Sequence, residues 1–206
     1  MKLEQITPAE IEKRSFEIIE SELPHSLDPR FAPIIKRVIH TTADFDYTDN
    51  LCFSQGVVDK ALTAIRTGAS IVTDTNMTKA GINKAELSKY GGEVFCFMAD
   101  ADVRDSAKAH GTTRAVASME KAAELSGPLI FAIGNAPTAL IRLSQLIEAH
   151  RISPALVIGV PVGFVNVVQA KELIMQTTTP YIVALGRKGG SNVAASIINA
   201  LLYMTV

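Results

Sequence analysis

The chain has no tryptophan, only two cysteines and no block of like charge anywhere in its 206 residues. Each absence excludes something. A net charge of −1 without a basic stripe argues against nucleic acid as a partner, because phosphate binding is normally written in clustered Lys and Arg. Cys52 and Cys96 stand far apart, with no CxxC and no His at ligand spacing, so they read as buried free thiols in a reducing compartment. HExxH and Cys/His ligand clusters are missing, so no protein-bound metal is expected. GxxxxGK[ST] and GxGxxG are missing too, which removes the phosphate loop and the dinucleotide fingerprint, and no Ser/His/Asp nucleophile elbow appears. No apolar run approaches the ~18–20 residues of a membrane span. The first residues carry Glu4, Glu10, Glu12 and Glu17 in place of a basic run and an apolar segment, so the expected location is cytoplasmic.

What is present is the composition of a globular domain, 48% hydrophobic and 20% charged. A chain of this length buries about 70% of its unfolded surface, and residues 1–206 are expected to form one domain. Five stretches are apolar and then abruptly polar or glycine-rich: residues 69–75, 93–100, 128–135, 155–161 and 181–187. Helical stretches separate them. Continuous apolar strands between helices predict an α/β fold, a doubly wound, mostly parallel five-stranded sheet with helices on both faces, flavodoxin-like in order. Ligands bind such sheets outside the carboxyl ends of the strands, where Asp74-Thr75-Asn76, Asn135 and Arg187 would converge.

The run Arg37-Val38-Ile39-His40-Thr41-Thr42-Ala43-Asp44-Phe45-Asp46-Tyr47 ends an apolar helix on a titratable side chain. Ile34, Ile35, Val38 and Ile39 recur at helical spacing, and Arg37 and His40, three apart, share a ledge beside that stripe. The Thr-Thr-Ala-Asp run predicts a helix end just after His40. His40 can serve as a C-terminal cap, or, titrating near pH ~6.5 when unperturbed, as a proton donor and acceptor. Arg37 would lower its pKa and a carboxylate from Asp44, Asp46 or a substrate would raise it.

Other candidates are weaker. Thr7-Pro8-Ala9-Glu10 predicts a helix start with Thr7 as N-cap. In that helix Ser15 interrupts an apolar face and needs a partner, either a carbonyl of its own helix or a ligand. Thr112 or Thr113 caps the next helix of interest and sets Arg114 in its first turn, against the dipole, which suits an anionic ligand or a solvated surface Arg. Asn135 is read first as a helix cap and second as a ligand contact. Gly186-Arg187-Lys188-Gly189-Gly190-Ser191-Asn192 combines glycines, cations and a helix start, an anion cradle for phosphate or carboxylate.

RVIHTTADFDY (37–47), DTNMTKAGINK (74–84), GTTRA (111–115), GNAPTAL (134–140), IGVPVGFVNVVQAKE (158–172) and GRKGGSNVAASIINALLY (186–203) together resemble the precorrin-8X methylmutases of corrin ring synthesis, from Ile11 to Tyr203. The resemblance implies an isomerase of cobalamin biosynthesis that moves a methyl group from ring carbon 11 to carbon 12, on a flavodoxin-like sheet. It also implies a homodimer with a corrinoid tetrapyrrole bound near the dimer interface. It assigns proton donation and acceptance to His40 and substrate contact to Ser15, Arg37 and Arg114. HTTADFDY and GRKGGSN are closer to members that act after cobalt insertion, so cobalt-precorrin-8 is the preferred substrate. No cofactor is expected, any cobalt being carried by the substrate. Gln169 stands where the family pattern has an acidic residue, so that position receives no role. The rival reading is a non-catalytic module, a corrin carrier or an anion-binding flavodoxin-like domain, and the third is a phosphate-ester isomerase. A carrier has no need of a titratable group beside its ligand, which favours the enzyme.

Overall fold

A computed structural model of the chain describes residues 7, 8 and 10–205. Its elements follow in the order α1 (Ile11–Glu22), α2 (Ala32–Thr42), α3 (Tyr47–Asn50), β1 (Leu51–Phe53), α4 (Val57–Arg66), β2 (Ser70–Thr73), α5 (Asn76–Gly81), α6 (Lys84–Ser88) and β3 (Val94–Phe95). Then come α7 (Ala101–Ala109), α8 (Arg114–Ala122), β4 (Leu129–Ile133), α9 (Pro137–Glu148), β5 (Leu156–Gly159), α10 (Val167–Met175), β6 (Tyr181–Ala184) and α11 (Ser191–Tyr203). The strands form one sheet in the order β1-β6-β5-β4-β2-β3. All neighbours are parallel except β1 and β6, whose register pairs Leu51 with Ala184 and Phe53 with Ile182. The expectation of five strands is thus corrected to six, and the plain flavodoxin-like sheet acquires an antiparallel edge. The five parallel strands run β3-β2-β4-β5-β6.

Alternation along the strands separates two cores. Ile71, Ile130, Ala132, Ile158 and Ile182 point to a first face, covered by α1, α2, α4 and α11. Val72, Phe131, Ile133, Val157 and Val183 point to a second face, covered by α8, α9 and α10. Burial on both sides explains why these strands read as unbroken apolar runs. Helix α11, with nine buried residues among its thirteen, lies over the first face and packs against α2.

Helix boundaries differ from expectation in informative ways. Helix α2 continues through Thr42, because Thr41 and Thr42 donate their hydroxyls to the carbonyls of Arg37 and Val38 at 3.0 and 2.8 Å instead of competing with the backbone. Ala43 ends it in the left-handed conformation at φ 53, its N–H bonded to the Ile39 carbonyl. Thr7 is not the N-cap of α1: it forms a turn with Glu10, which occupies the cap position without a side-chain cap bond, while Ala9 lies outside the described residues. Cys52 is only partly buried, whereas Cys96 is buried as expected, and both thiols are free.

Candidate active site

Helix α2 buries Ile34, Ile35, Val38 and Ile39, which leaves its opposite flank to present Arg37 and His40. Being three apart on one helix, the two side chains stand side by side. His40 is exposed, and its ring stacks on Phe16 of α1 with centroids 5.3 Å apart. The Arg37 guanidinium lies 4.9 Å from the centre of that same Phe16 ring and 5.0 Å from the ring of Tyr203 in α11. Its outer edge pairs with Glu12. Arg37 is therefore oriented by two rings and a carboxylate, which fixes the ledge on which His40 stands. A pocket of about 260 Å³ opens against this ledge, walled by Gly81, Asn192, Asn199 and Tyr203. A second pocket of about 300 Å³ adjoins it on the Phe16 and Arg37 side.

Phe16, Asn199 and Tyr203 were not among the candidates drawn from the sequence, and Asn192 entered only as the last residue of the glycine-rich anion cradle. A signal for three of them existed: Asn192, Ser196, Asn199 and Tyr203 recur at helical spacing as a polar stripe on an otherwise apolar helix. Asn199 fixes one wall. Its side chain accepts from the Asn83 N–H at 2.8 Å and donates to the Gly81 carbonyl at 2.9 Å.

The carboxyl edge of the sheet is organised by a residue expected only to sit on the rim. Asp74, fully buried at the end of β2, accepts the N–H groups of Gly134, Asn135 and Ala136 at 2.9, 2.8 and 2.6 Å. Burial pushes its carboxyl up from the ordinary range, and the three amides pull it back. This corrects the reading of Asn135 as a cap: Ala136 occupies the cap of α9, without a side-chain bond, and the amides near Asn135 belong to Asp74. The Thr75 hydroxyl lies 2.8 Å from that of Ser191, tying this edge to the start of α11.

Asp44 and Asp46, the carboxylates set near His40 in sequence, both bind Lys188, at 2.7 and 2.5 Å. The hydrogen bonds Lys188 donates to them raise its ammonium well above its usual range, and the bond from Lys188 lowers Asp44. Lys188 is thereby occupied within the glycine-rich loop, and Arg187 is its exposed cation, stacked 5.2 Å from the Phe164 ring.

Of the five candidates, Arg37 and His40 share a pocket, and Ser15 lies on the same face, its hydroxyl donated to the Ile11 carbonyl at 2.9 Å. Arg114 does not join them. Thr113 caps α8 as one of the two threonines expected there, so Arg114 begins a helix on the second face, reaching the Met98 carbonyl at 3.5 Å. Asn135 is exposed at the rim ahead of α9. The two largest cavities described, of about 640 and 650 Å³, flank α9 and are lined by none of the five. His25 is exposed and bonded to Asp49 at 3.0 Å, and His110 ends α7 bonded to the Ser106 carbonyl at 2.9 Å. Among the described residues no group of three or more His, Cys, Asp or Glu could hold a metal ion, and no helix is long and apolar enough to cross a membrane.

Fold and ledge define an α/β protein with a solvent-facing imidazole stacked on an aromatic ring that a guanidinium also contacts. Comparison with known proteins makes the class specific. The family model for precorrin-8X methylmutase matches residues 10–204. The cobalt-precorrin-8 methylmutase of Salmonella typhimurium is 46% identical over 203 residues, covering 95% of each chain. That of Priestia megaterium is 43% identical over 95% of this chain and 88% of its own. The crystal structure of precorrin-8x methyl mutase from Thermus thermophilus superposes with a TM-score of 0.87 at 42% identity, over 96% of both chains. The chain belongs to the precorrin-8X methylmutase family. It is an isomerase, transferring a methyl group within one molecule.

Proposed function

We propose that this protein converts cobalt-precorrin-8 into cobyrinate by moving a methyl group from C-11 to C-12 of the corrin ring, with His40 as proton donor and acceptor. The substrate choice is supported by the names of its relatives: those at 46% and 43% identity are cobalt-precorrin-8 methylmutases, while the Pseudomonas aeruginosa precorrin-8X methylmutase is 35% identical. The observation that carries the role of His40 is its exposure at the mouth of a pocket beside Arg37.

The reaction is an isomerisation: the bond from the methyl to C-11 breaks as the bond to C-12 forms, and the proton lent by His40 returns to it. Protonating the macrocycle withdraws electron density from the migrating framework, and a placed general acid contributes ~10²–10⁴-fold. No nucleophile, redox cofactor or protein-bound metal is needed in this scheme, and cobalt enters as part of the substrate. Ser15, Arg37, Arg114 and Asn135 are assigned to the acetate and propionate arms, Arg being suited to bidentate carboxylate contact. The pocket at His40, about 260 Å³, is small beside the ~300–1,000 Å³ typical of ligand sites, which supports a homodimer whose second copy completes the enclosure. A single domain spanning 1–206, flavodoxin-like in its parallel strands and working in the cytoplasm, completes the proposal.

The test is His40→Ala. Its turnover of cobalt-precorrin-8, followed by visible absorption, should fall by at least ~10²-fold while the affinity for the corrin product stays near that of the native protein. Full turnover would refute the proton-shuttle assignment.

A further inference from the structure

Lys171 is buried to 1% exposure in α10, on the far side of the molecule from the His40 ledge. A buried ammonium is costly, and its removal from water is why the Lys171 pKa falls to about 8. Its Nζ donates to two carbonyls of the glycine-rich loop, those of Gly186 and Lys188, at 2.8 Å each. The side chain of Lys188, the residue whose carbonyl Lys171 holds, donates to Asp44 and Asp46. Those two aspartates follow directly on the end of α2, where Ala43 is held in the left-handed conformation and the Asp44 N–H donates to the Thr42 hydroxyl at 3.3 Å. His40 occupies the last turn of that helix.

A continuous chain of contacts therefore joins α10 to the end of the His40 helix. The loop in its middle has little freedom. A side chain at Gly189 would meet the Val160 carbonyl oxygen at 2.1 Å, and the Gly190 N–H donates to that same oxygen at 2.8 Å. We propose that Lys171 is a positioning residue: by fixing the carbonyls on either side of Arg187 it sets the reach of Lys188, and through Asp44 and Asp46 the placement of His40 against the ring. The inference rests on the reading of His40 as proton shuttle. It explains why an ammonium is retained in an interior site where an apolar side chain of equal length would avoid the desolvation cost.

The test is a double-mutant cycle on Lys171→Met and Lys188→Met, each assayed with cobalt-precorrin-8 at a temperature where a denaturant titration shows it fully folded. Misplacing a catalytic group by about 1 Å lowers rate up to ~10²-fold, so kcat of each single variant should fall roughly 10- to 100-fold. KM should change by less than about threefold, since the loss falls on the chemical step. The double variant should be no slower than Lys171→Met, because the route through Lys188 is already broken. Fold-changes that multiply, or an unchanged kcat in Lys188→Met, would overturn the proposal. Where Lys171→Met does not fold, Lys188→Met and the surface pair Asp44→Asn with Asp46→Asn carry the test. Both must lower kcat by the same factor, and native kcat in either overturns it. His40→Ala is run alongside. Full turnover there removes the proton-shuttle reading itself, whereas its loss beside a normal Lys188→Met removes only the positioning role.

Discussion

Asp74 concentrates three buried or half-buried hydrogen bonds on one carboxylate at the end of β2, and no neighbour in sequence could replace it. In Asp74→Asn one acceptor oxygen becomes an NH2 group facing main-chain donors. With each abandoned buried donor costing about 1–3 kcal/mol, the variant should lose about 2–4 kcal/mol of stability, read as a lower urea midpoint at unchanged slope. A variant as stable as the native protein would show that the three amides find other acceptors. The rim position of Asp74 was legible in the sequence, since an abrupt Asp after an apolar run marks a strand end. Its task was not, because the amides it holds come from a loop sixty residues later, and nothing local in GNAPT distinguishes a cap at Asn135 from an amide served from elsewhere. His40 and Arg37 were legible because three-residue spacing on a helix fixes their adjacency. Phe16 and Tyr203, which orient them, arrive from other helices.

Among the elements, the five parallel strands were readable: burial on two faces leaves β2, β4, β5 and β6 no polar alternation to confuse them, and β3 lies within the apolar run 93–100. Strand β1 was not: three residues pairing antiparallel at the sheet edge carry no periodicity. The end of α2 lies two residues beyond the expected one because threonine can either break a helix or bond back to it, and Thr41 and Thr42 do the second. The loop from β6 to α11 is the connection on which most depends, since it touches the ends of β4 and β5 and the residues after α2. Gly189 stands in it at φ 151, with its missing Cβ pointing at the Val160 carbonyl. Gly189→Ala should force the loop off that carbonyl, at a cost of about 1–3 kcal/mol, and displace Lys188 from Asp44 and Asp46. The check is thermal unfolding together with kcat: Tm should drop and turnover should fall in the folded protein. Native Tm would mean that the loop relaxes freely.

For the molecule as a whole, the decisive fact is that the sheet separates the candidates for substrate contact. His40, Arg37 and Ser15 belong to helices of the first face, and Arg114 begins a helix of the second. The sheet lies between those helices, so a flat ring touching His40 can reach an Arg114 only by curling over the carboxyl rim or by meeting the Arg114 of a second copy. In an isologous dimer each of the two sites would then take its imidazole from one protomer and its guanidinium from the other. Mixing separates the alternatives. The His40→Ala and Arg114→Ala proteins, each impaired, are unfolded together and refolded at equal concentrations, as a test of the proposed homodimer. Random pairing makes half the dimers hybrid, and each hybrid holds one site with both groups intact, so turnover should recover to about a quarter of the native value. If both groups of a site came from one protomer, every site in the mixture would lack one of them. Activity would then stay at the average of the two parents, and the shared-site arrangement would be wrong.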